Sequence, residues 1–191
     1  MYTSRFTTRQ ASLSRCVYVD RNADGIINDA DLYIYKSPWA PYTAGLSSRL
    51  QYKGWDFGFS LRASFDNYNY WDKRQGYSNT AKRYDSSFGY LQNTMPEAVQ
   101  VGWVTYDNPI SDYFVRNASF LKCDNITLGY TFANLFKGGS YSGLNGRVYA
   151  SATNVFTITK YKGIDPEVFQ GIDNNIYPRP FTLLLGLNLN F

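Results

Sequence analysis

From Phe181 onward the odd positions are Phe181, Leu183, Leu185, Leu187, Leu189 and Phe191, and the even ones are Thr182, Leu184, Gly186, Asn188 and Asn190. Alternation with period two puts an apolar row on one face of a strand and a small or polar row on the other. A strand that crosses hydrocarbon takes about 9 to 11 residues, with every second side chain in lipid. The pattern over 180–191 therefore predicts the closing strand of a transmembrane β-barrel.

The same alternation recurs upstream. Over 42–52, Tyr42, Ala44, Leu46, Leu50 and Tyr52 share a face opposite Thr43, Gly45, Ser47, Arg49 and Gln51, and Lys53-Gly54 supplies a short turn. Over 55–66, Trp55, Phe57, Phe59, Leu61, Ala63 and Phe65 oppose Asp56, Gly58, Ser60, Arg62, Ser64 and Asp66. Charges at Asp56, Arg62 and Asp66 would be costly in a dry core, whereas a watery lumen accommodates them. Tyr52 and Trp55 flank the turn as an interfacial aromatic girdle requires. A strand over 118–132 sets Ile126, Leu128, Tyr130 and Phe132 against Asn125, Thr127, Gly129 and Thr131. Lys122 and Asp124 then fall on its apolar register, which places that half beyond the hydrocarbon. A further strand over 145–156 sets Val148, Ala150 and Ala152 against Arg147, Tyr149, Ser151 and Thr153. The fold class expected is all-β: an antiparallel transmembrane β-barrel segment of about five strands with long extracellular loops. The connections at Lys53-Gly54 and over 133–144 would lie on the periplasmic side.

Composition agrees with this picture and removes others. The chain of 191 residues carries 18 Tyr and 13 Phe but no His, with a net charge of +4. Tyr-rich strands with polar loops suit a barrel. No apolar run approaches the roughly 20 residues of a transmembrane helix. Lys and Arg are scattered and form no basic stripe for nucleic acid. Without His, a phosphate loop or a nucleophile constellation, catalysis is not expected; Asp72, Asp85 and Asp112 are unremarkable carboxylates. Cys16 and Cys123 are compatible with one disulfide or with two unrelated thiols. Met1 to Gln10 has no apolar signal-peptide core, so for an exported barrel the expectation is a piece of something longer. Residues 1–15 have no assignable pattern.

Two stretches are candidates for binding. In Asp20-Arg21-Asn22-Ala23-Asp24-Gly25-Ile26-Ile27-Asn28-Asp29-Ala30-Asp31, counting Asp20 as one puts oxygen side chains at one, three and five, Gly25 at six, the Ile26 carbonyl at seven and Asp31 at twelve. This is the spacing of a calcium loop, although Asp at twelve is shorter than the usual Glu. The candidate ligands are Asp20, Asn22, Asp24, Ile26 and Asp31; the alternative is a solvated loop of Asx turns. Residues 67–112 form a long segment without a sustained period, and such segments are often functional. Tyr68, Tyr70, Trp71, Tyr77 and Trp103, with Tyr84 and Tyr90, could stack on sugar rings or peptide side chains, or pack the loop on itself.

Asn125-Ile126-Thr127-Leu128-Gly129-Tyr130-Thr131-Phe132, the run from Asn154 to Glu167, Tyr177-Pro178-Arg179 and the terminal Phe191 resemble the C-terminal end of SusC/RagA-type TonB-dependent outer-membrane transporters. The calcium-type loop followed by Tyr52-Lys53-Gly54-Trp55-Asp56 occurs there in the same order. Departures are Ala23 in place of Gly, Lys122-Cys123, and a beginning that does not match. The resemblance implies a barrel of about 22 strands around an N-terminal plug. It also implies a SusD-like surface lipoprotein as lid, the TonB complex as energy source, and oligosaccharides or peptides as substrates. Plug, TonB box and signal peptide are not found in this sequence. The expectation is thus barrel wall and external loops, in contact with outer-membrane lipid and not transport-competent alone. The rival reading is a soluble or surface adhesin built on a calcium-stabilised β-domain.

Overall fold

The computed structural model describes residues 3–4, 9–11, 15–17, 19–26, 28–72, 74, 84–85, 89–91, 111–133, 145–174 and 177–190. Its main element is a five-stranded sheet of β1 (Tyr42–Tyr52), β2 (Trp55–Phe65), β3 (Phe120–Phe132), β4 (Asn145–Thr159) and β5 (Thr182–Asn190). The order is β5-β4-β3-β2-β1 and every pairing is antiparallel, so neighbours in sequence are neighbours in space. Lys53 and Gly54, with φ of 48° and 87°, join β1 to β2. Positive φ at both central residues is the hairpin turn whose twist matches the flanking strands. The gap 134–144, expected to be a Gly-rich turn, lies outside the described residues.

Register fixes the faces. Leu46 pairs with Leu61, Leu50 with Phe57, Phe57 with Leu128, Leu128 with Ala150, and Ala150 with Leu185. This apolar row is open to the outside: Leu46, Leu50, Leu183, Leu185 and Leu187 are 57–76% exposed. Among the described residues of this unit the five strands form a single sheet, with no second sheet of the unit packed on that row. At the turn end Tyr52, Trp55 and Tyr130 are also exposed, with the Trp55 and Tyr130 rings 4.8 Å apart.

The strand bounds differ from the expected ones at the ends remote from that turn. The second strand ends at Phe65, because Asp66 takes a left-handed φ of 60°. The fourth continues to Thr159. The larger correction concerns Lys122 and Asp124. Cys123 pairs with Leu61 and Asn125 with Ser60, which leaves Asp124 as an extra residue in a β-bulge. The bulge shifts the parity of β3. Lys122 pairs with Arg62 on the polar face, and Leu121 and Cys123 take the apolar one, opposite Ala63 and Leu61. β4 absorbs the irregularity at Asn154, whose φ is 53° and whose amide donates to the Pro180 carbonyl at 2.9 Å. Asn tolerates this conformation better than most residues. Cys123 is a free, buried thiol.

A second unit gathers the segments Met1–Pro41, Asp66–Ala118 and Tyr161–Tyr177. Within it Tyr68–Tyr70 pairs with Val115–Asn117, and Tyr70, Phe114 and Val115 form a small buried cluster. Residues 1–15, which showed no pattern in the sequence, include Thr3–Ser4 paired with Tyr33–Ile34 and Arg9–Ala11 paired with Arg15–Val17.

The two rows should respond oppositely to charge. Leu185→Arg, on the apolar row, is expected to lower folding stability in phospholipid vesicles by about 2–4 kcal/mol, and Asn188→Arg, on the other face, by less than about 1. Urea titration followed by tryptophan fluorescence measures both, and equal losses would refute the assignment of faces.

Candidate functional site

The polar face of the sheet is held by charge pairs that cross strands. Asp56 on β2 accepts from Arg147 on β4, at 2.9 Å from Nε and 2.6 Å from the terminal nitrogen. The strand between them, β3, puts Gly129 directly beneath the pair. A Cβ there would stand 2.5 Å from Asp56 Oδ1 and 2.7 Å from an Arg147 nitrogen. Glycine therefore lets an arginine on one strand reach a carboxylate two strands away. The bidentate geometry gives the pair directional strength as well as charge. Arg49 on β1 adds a second guanidinium 3.6 Å from Asp56. Beyond it the bulged Asp124 takes Arg62 in the same two-point manner, at 2.5 and 3.1 Å. Between the pairs runs a hydroxyl and amide ladder: Asn125 donates to Ser151 at 3.1 Å, Thr127 donates to Asn125 at 3.0 Å, and Ser47 meets Ser60 at 3.0 Å. Tyr149 lies over Gly186 of the neighbouring strand, with the Arg147 guanidinium 5.0 Å above its ring.

The calcium-type loop is drawn together by its own backbone. Asp20 accepts from the amides of Ala23 and Gly25, both at 2.7 Å. Asp24 accepts from the Ile26 amide at 2.8 Å, and the Asn22 amide group donates to Asp24 Oδ2 at 2.8 Å. Gly25 takes φ of 82° at the turn. Asp31, the residue expected at position twelve, is fully buried. Its Oδ1 accepts from Arg21 N at 2.8 Å and its Oδ2 from Asn28 N at 2.9 Å, the second as part of a capping box on the short 3-10 turn Asp29–Asp31. In this arrangement Asp31 closes the loop as a cap. The backbone amides of Asn28 and then Arg21 hold its carboxyl below the usual range, against the opposing effect of burial; the Asn22 amide and the Arg21 charge add to the lowering. Among the described residues no group of three acidic, His or Cys side chains converges as a metal cage.

The aromatic candidates separate. Tyr70 is buried against Phe114, with ring centroids 6.1 Å apart. Tyr68 is half-buried beneath the Lys36 ammonium, 4.7 Å away. Trp71 is half-buried between Tyr161, 6.0 Å away, and the Arg74 guanidinium, 4.8 Å away. Tyr77 and Trp103 lie outside the described residues. Sequence reasoning missed a set of buried polar residues around these rings. Asn69 donates to the Pro166 carbonyl at 2.8 Å, and Tyr161 donates to the buried Asp173 at 2.7 Å. These partners are 97 and 12 residues apart, so no local pattern could reveal them.

No family model matches the chain. It is, however, 52% identical over 175 residues, 92% of its own length, to the TonB-dependent receptor SusC of Bacteroides thetaiotaomicron. This chain belongs to the SusC-type TonB-dependent receptors. It spans 17% of SusC and 19% of TonB-dependent receptor P3 of Formosa agariphila, to which it is 27% identical over 92% of its length. Among solved structures it is similar to the RagAB peptide importer in the closed-closed state, with a TM-score of 0.65 and 27% identity over 83% of this chain and 18% of that one. In the open-open state the TM-score is 0.71 over 99% of this chain and 22% of the other, at 24% identity, a likeness of fold. Such receptors are outer-membrane proteins. The exposed apolar row of this SusC-type chain is accordingly its lipid face, and the charged row lines the interior.

Two outcomes follow from this geometry. Gly129→Val is expected to part Asp56 from Arg147 and to lower stability by about 1–3 kcal/mol, as for loss of a charged hydrogen bond; in an Arg147→Met background the same change should have little further effect, and full additivity of the two would dismiss the bridge. For the loop, the folded-state pKa of Asp31 is depressed. Its stabilising contribution is therefore complete above the ordinary value of 3.8 and is lost as pH falls below that through the lowered folded value. Amide hydrogen exchange at Arg21 and Asn28 should report loop opening in that window, and Asp31→Asn should abolish the pH dependence.

Proposed function

We propose that this chain contributes barrel wall and outer loops to a TonB-dependent outer-membrane importer of oligosaccharides or peptides. The observation that carries the proposal is a single sheet with one largely apolar face exposed and the opposite face tied by ion pairs. That division suits a wall with lipid on one side and a hydrated passage on the other. Similarity to the RagAB peptide importer supports the peptide class, and the oligosaccharide class comes from the family resemblance of the sequence. The partners that go with this reading are a SusD-like surface lipoprotein meeting the outer loops and the TonB complex as energy source. Tyr68 and Trp71, half-buried, are better placed than Tyr70 to offer a ring face to substrate.

Calcium belongs to the same reading. The hard oxygens of Asp20, Asn22 and Asp24, with the Ile26 carbonyl, would hold the ion, and it would neutralise the two crowded carboxylates while Asp31 closes the loop beneath. Its role would be structural: stiffening the loop.

Two measurements test these points. Cells carrying the full-length receptor that contains this sequence should retain it in the outer-membrane fraction and take up labelled oligosaccharide or peptide only with an energised TonB complex; recovery of that receptor as a monodisperse protein without detergent would sink the importer reading. Calorimetric titration with calcium should give binding that Asp24→Ala weakens at least tenfold, since one charged ligand is lost; absence of heat at millimolar calcium would remove the ion from the picture.

A further inference from the structure

The calcium-type loop and the aromatic segment Tyr68–Tyr70 with Trp71 are distant in sequence, yet contacts within the loop-bearing unit join them at two points. The first begins at Arg21. Its backbone amide is held by the buried Asp31 at 2.8 Å, and its guanidinium stands 3.9 Å from the centre of the Tyr33 ring, a cation over an aromatic face. The Tyr33 hydroxyl in turn donates to Asp112 Oδ2 at 2.8 Å, across 79 residues of chain. Asp112 begins the short 3-10 turn Asp112–Phe114, which the buried Ser111 caps by accepting from the Tyr113 amide. Phe114, fully buried, packs on Tyr70, and its carbonyl accepts from the Trp71 amide at 3.0 Å.

The second point lies at the far end of the stretch that leaves the loop. The Ser37 carbonyl accepts from the Tyr68 amide at 3.1 Å, and the Lys36 ammonium is 4.7 Å from the Tyr68 ring. Residues 33–37 are thus tied to the aromatic segment at both ends, once through a phenol and a carboxylate and once through the backbone.

We infer that Tyr33 is a positioning residue: its contacts with Arg21 and Asp112 make order in the calcium-type loop and order in the aromatic segment one cooperative event. When Asp31 releases its amides, Arg21 leaves the Tyr33 ring and the phenol loses the support that aims it at Asp112. The inference deepens the proposed function and rests on it for its consequence: calcium that stiffens the loop also fixes the place of Tyr68 and Trp71, the rings offered to substrate. Coupling of this kind is reciprocal, so a disturbance at either end must be felt at the other.

Hydrogen exchange followed by mass spectrometry on the full-length receptor that contains this sequence, purified in detergent micelles, tests the coupling in both directions. Asp31→Asn should quicken exchange over 20–26 and also over 67–72 and 111–118, by about three- to tenfold, the worth of one hydrogen bond. Asp112→Ala should quicken exchange over 20–26, a segment it meets through Tyr33. In a Tyr33→Phe background, which keeps the ring beneath Arg21 and removes the hydroxyl, each change should act on its own segment alone. Asp112→Asn, whose amide oxygen still accepts from the phenol, should retain part of the coupling. Effects confined to the altered segment while Tyr33 is intact would overturn the inference, as would distant effects that persist without the hydroxyl. Calcium should slow exchange over all three segments. If it slows none while the distant effects of Asp31→Asn and Asp112→Ala remain, the calcium reading falls and the coupling stands.

Discussion

Hydrocarbon offers no hydrogen-bond partner to a peptide group, so a chain that meets lipid must pair its backbone completely and turn every polar side chain away. The five-stranded meander follows from that constraint. Each inner strand is paired on both sides, and each strand segregates its side chains by parity. With the apolar row facing outward, the sheet has no dry core of its own among the described residues, and cohesion on the inner face falls to charge pairs and hydroxyl ladders. The Asp56–Arg147 bridge is the more buried of the two bidentate pairs. It spans three strands because Gly129 leaves the middle one bare.

The bulge at Asp124 shows how such a sheet accommodates a sequence that breaks strict alternation. An extra residue on β3 turns Lys122 and Asp124 to the interior and Leu121 and Cys123 to the apolar face. The irregularity is not a defect in the wall, since the displaced Asp124 gains Arg62 as a two-point partner. β4 matches it with a left-handed Asn154 that is tied to Pro180. A local loss of ladder regularity is offset by a charged contact and an amide contact, and side chains keep alternating between the two faces on either side.

The loop-bearing unit obeys a different rule. There, water is available, and order comes from side chains that cap backbone groups: Asp20, Asp24 and Asp31 in the calcium-type loop, Ser111 at the turn before Phe114. Its apolar cluster of Tyr70, Phe114 and Val115 is small, so buried polar contacts such as Tyr161 to Asp173 carry much of the specificity. An aromatic residue in this setting serves the fold first; Tyr70 is the example.

Much of the wall was legible in the residues because period-two alternation and a Lys-Gly turn are local signals. Leu183 to Leu189 and Trp55 to Phe65 state their faces without any reference to the remainder of the chain, and the resemblance to SusC-type sequences rested on similarly contiguous motifs. The calcium-type spacing of Asp20 to Asp31 was equally local, but spacing alone does not say where a carboxylate points, and Asp31 points at amides. What tertiary structure alone decided depends on strand register: that Arg147 reaches Asp56 across Gly129, that Asp124 is the bulged residue, that Asn69 meets Pro166. Register is set by how many residues each neighbour contributes between fixed pairs. That count is a property of two or three strands together, and no single strand's sequence contains it.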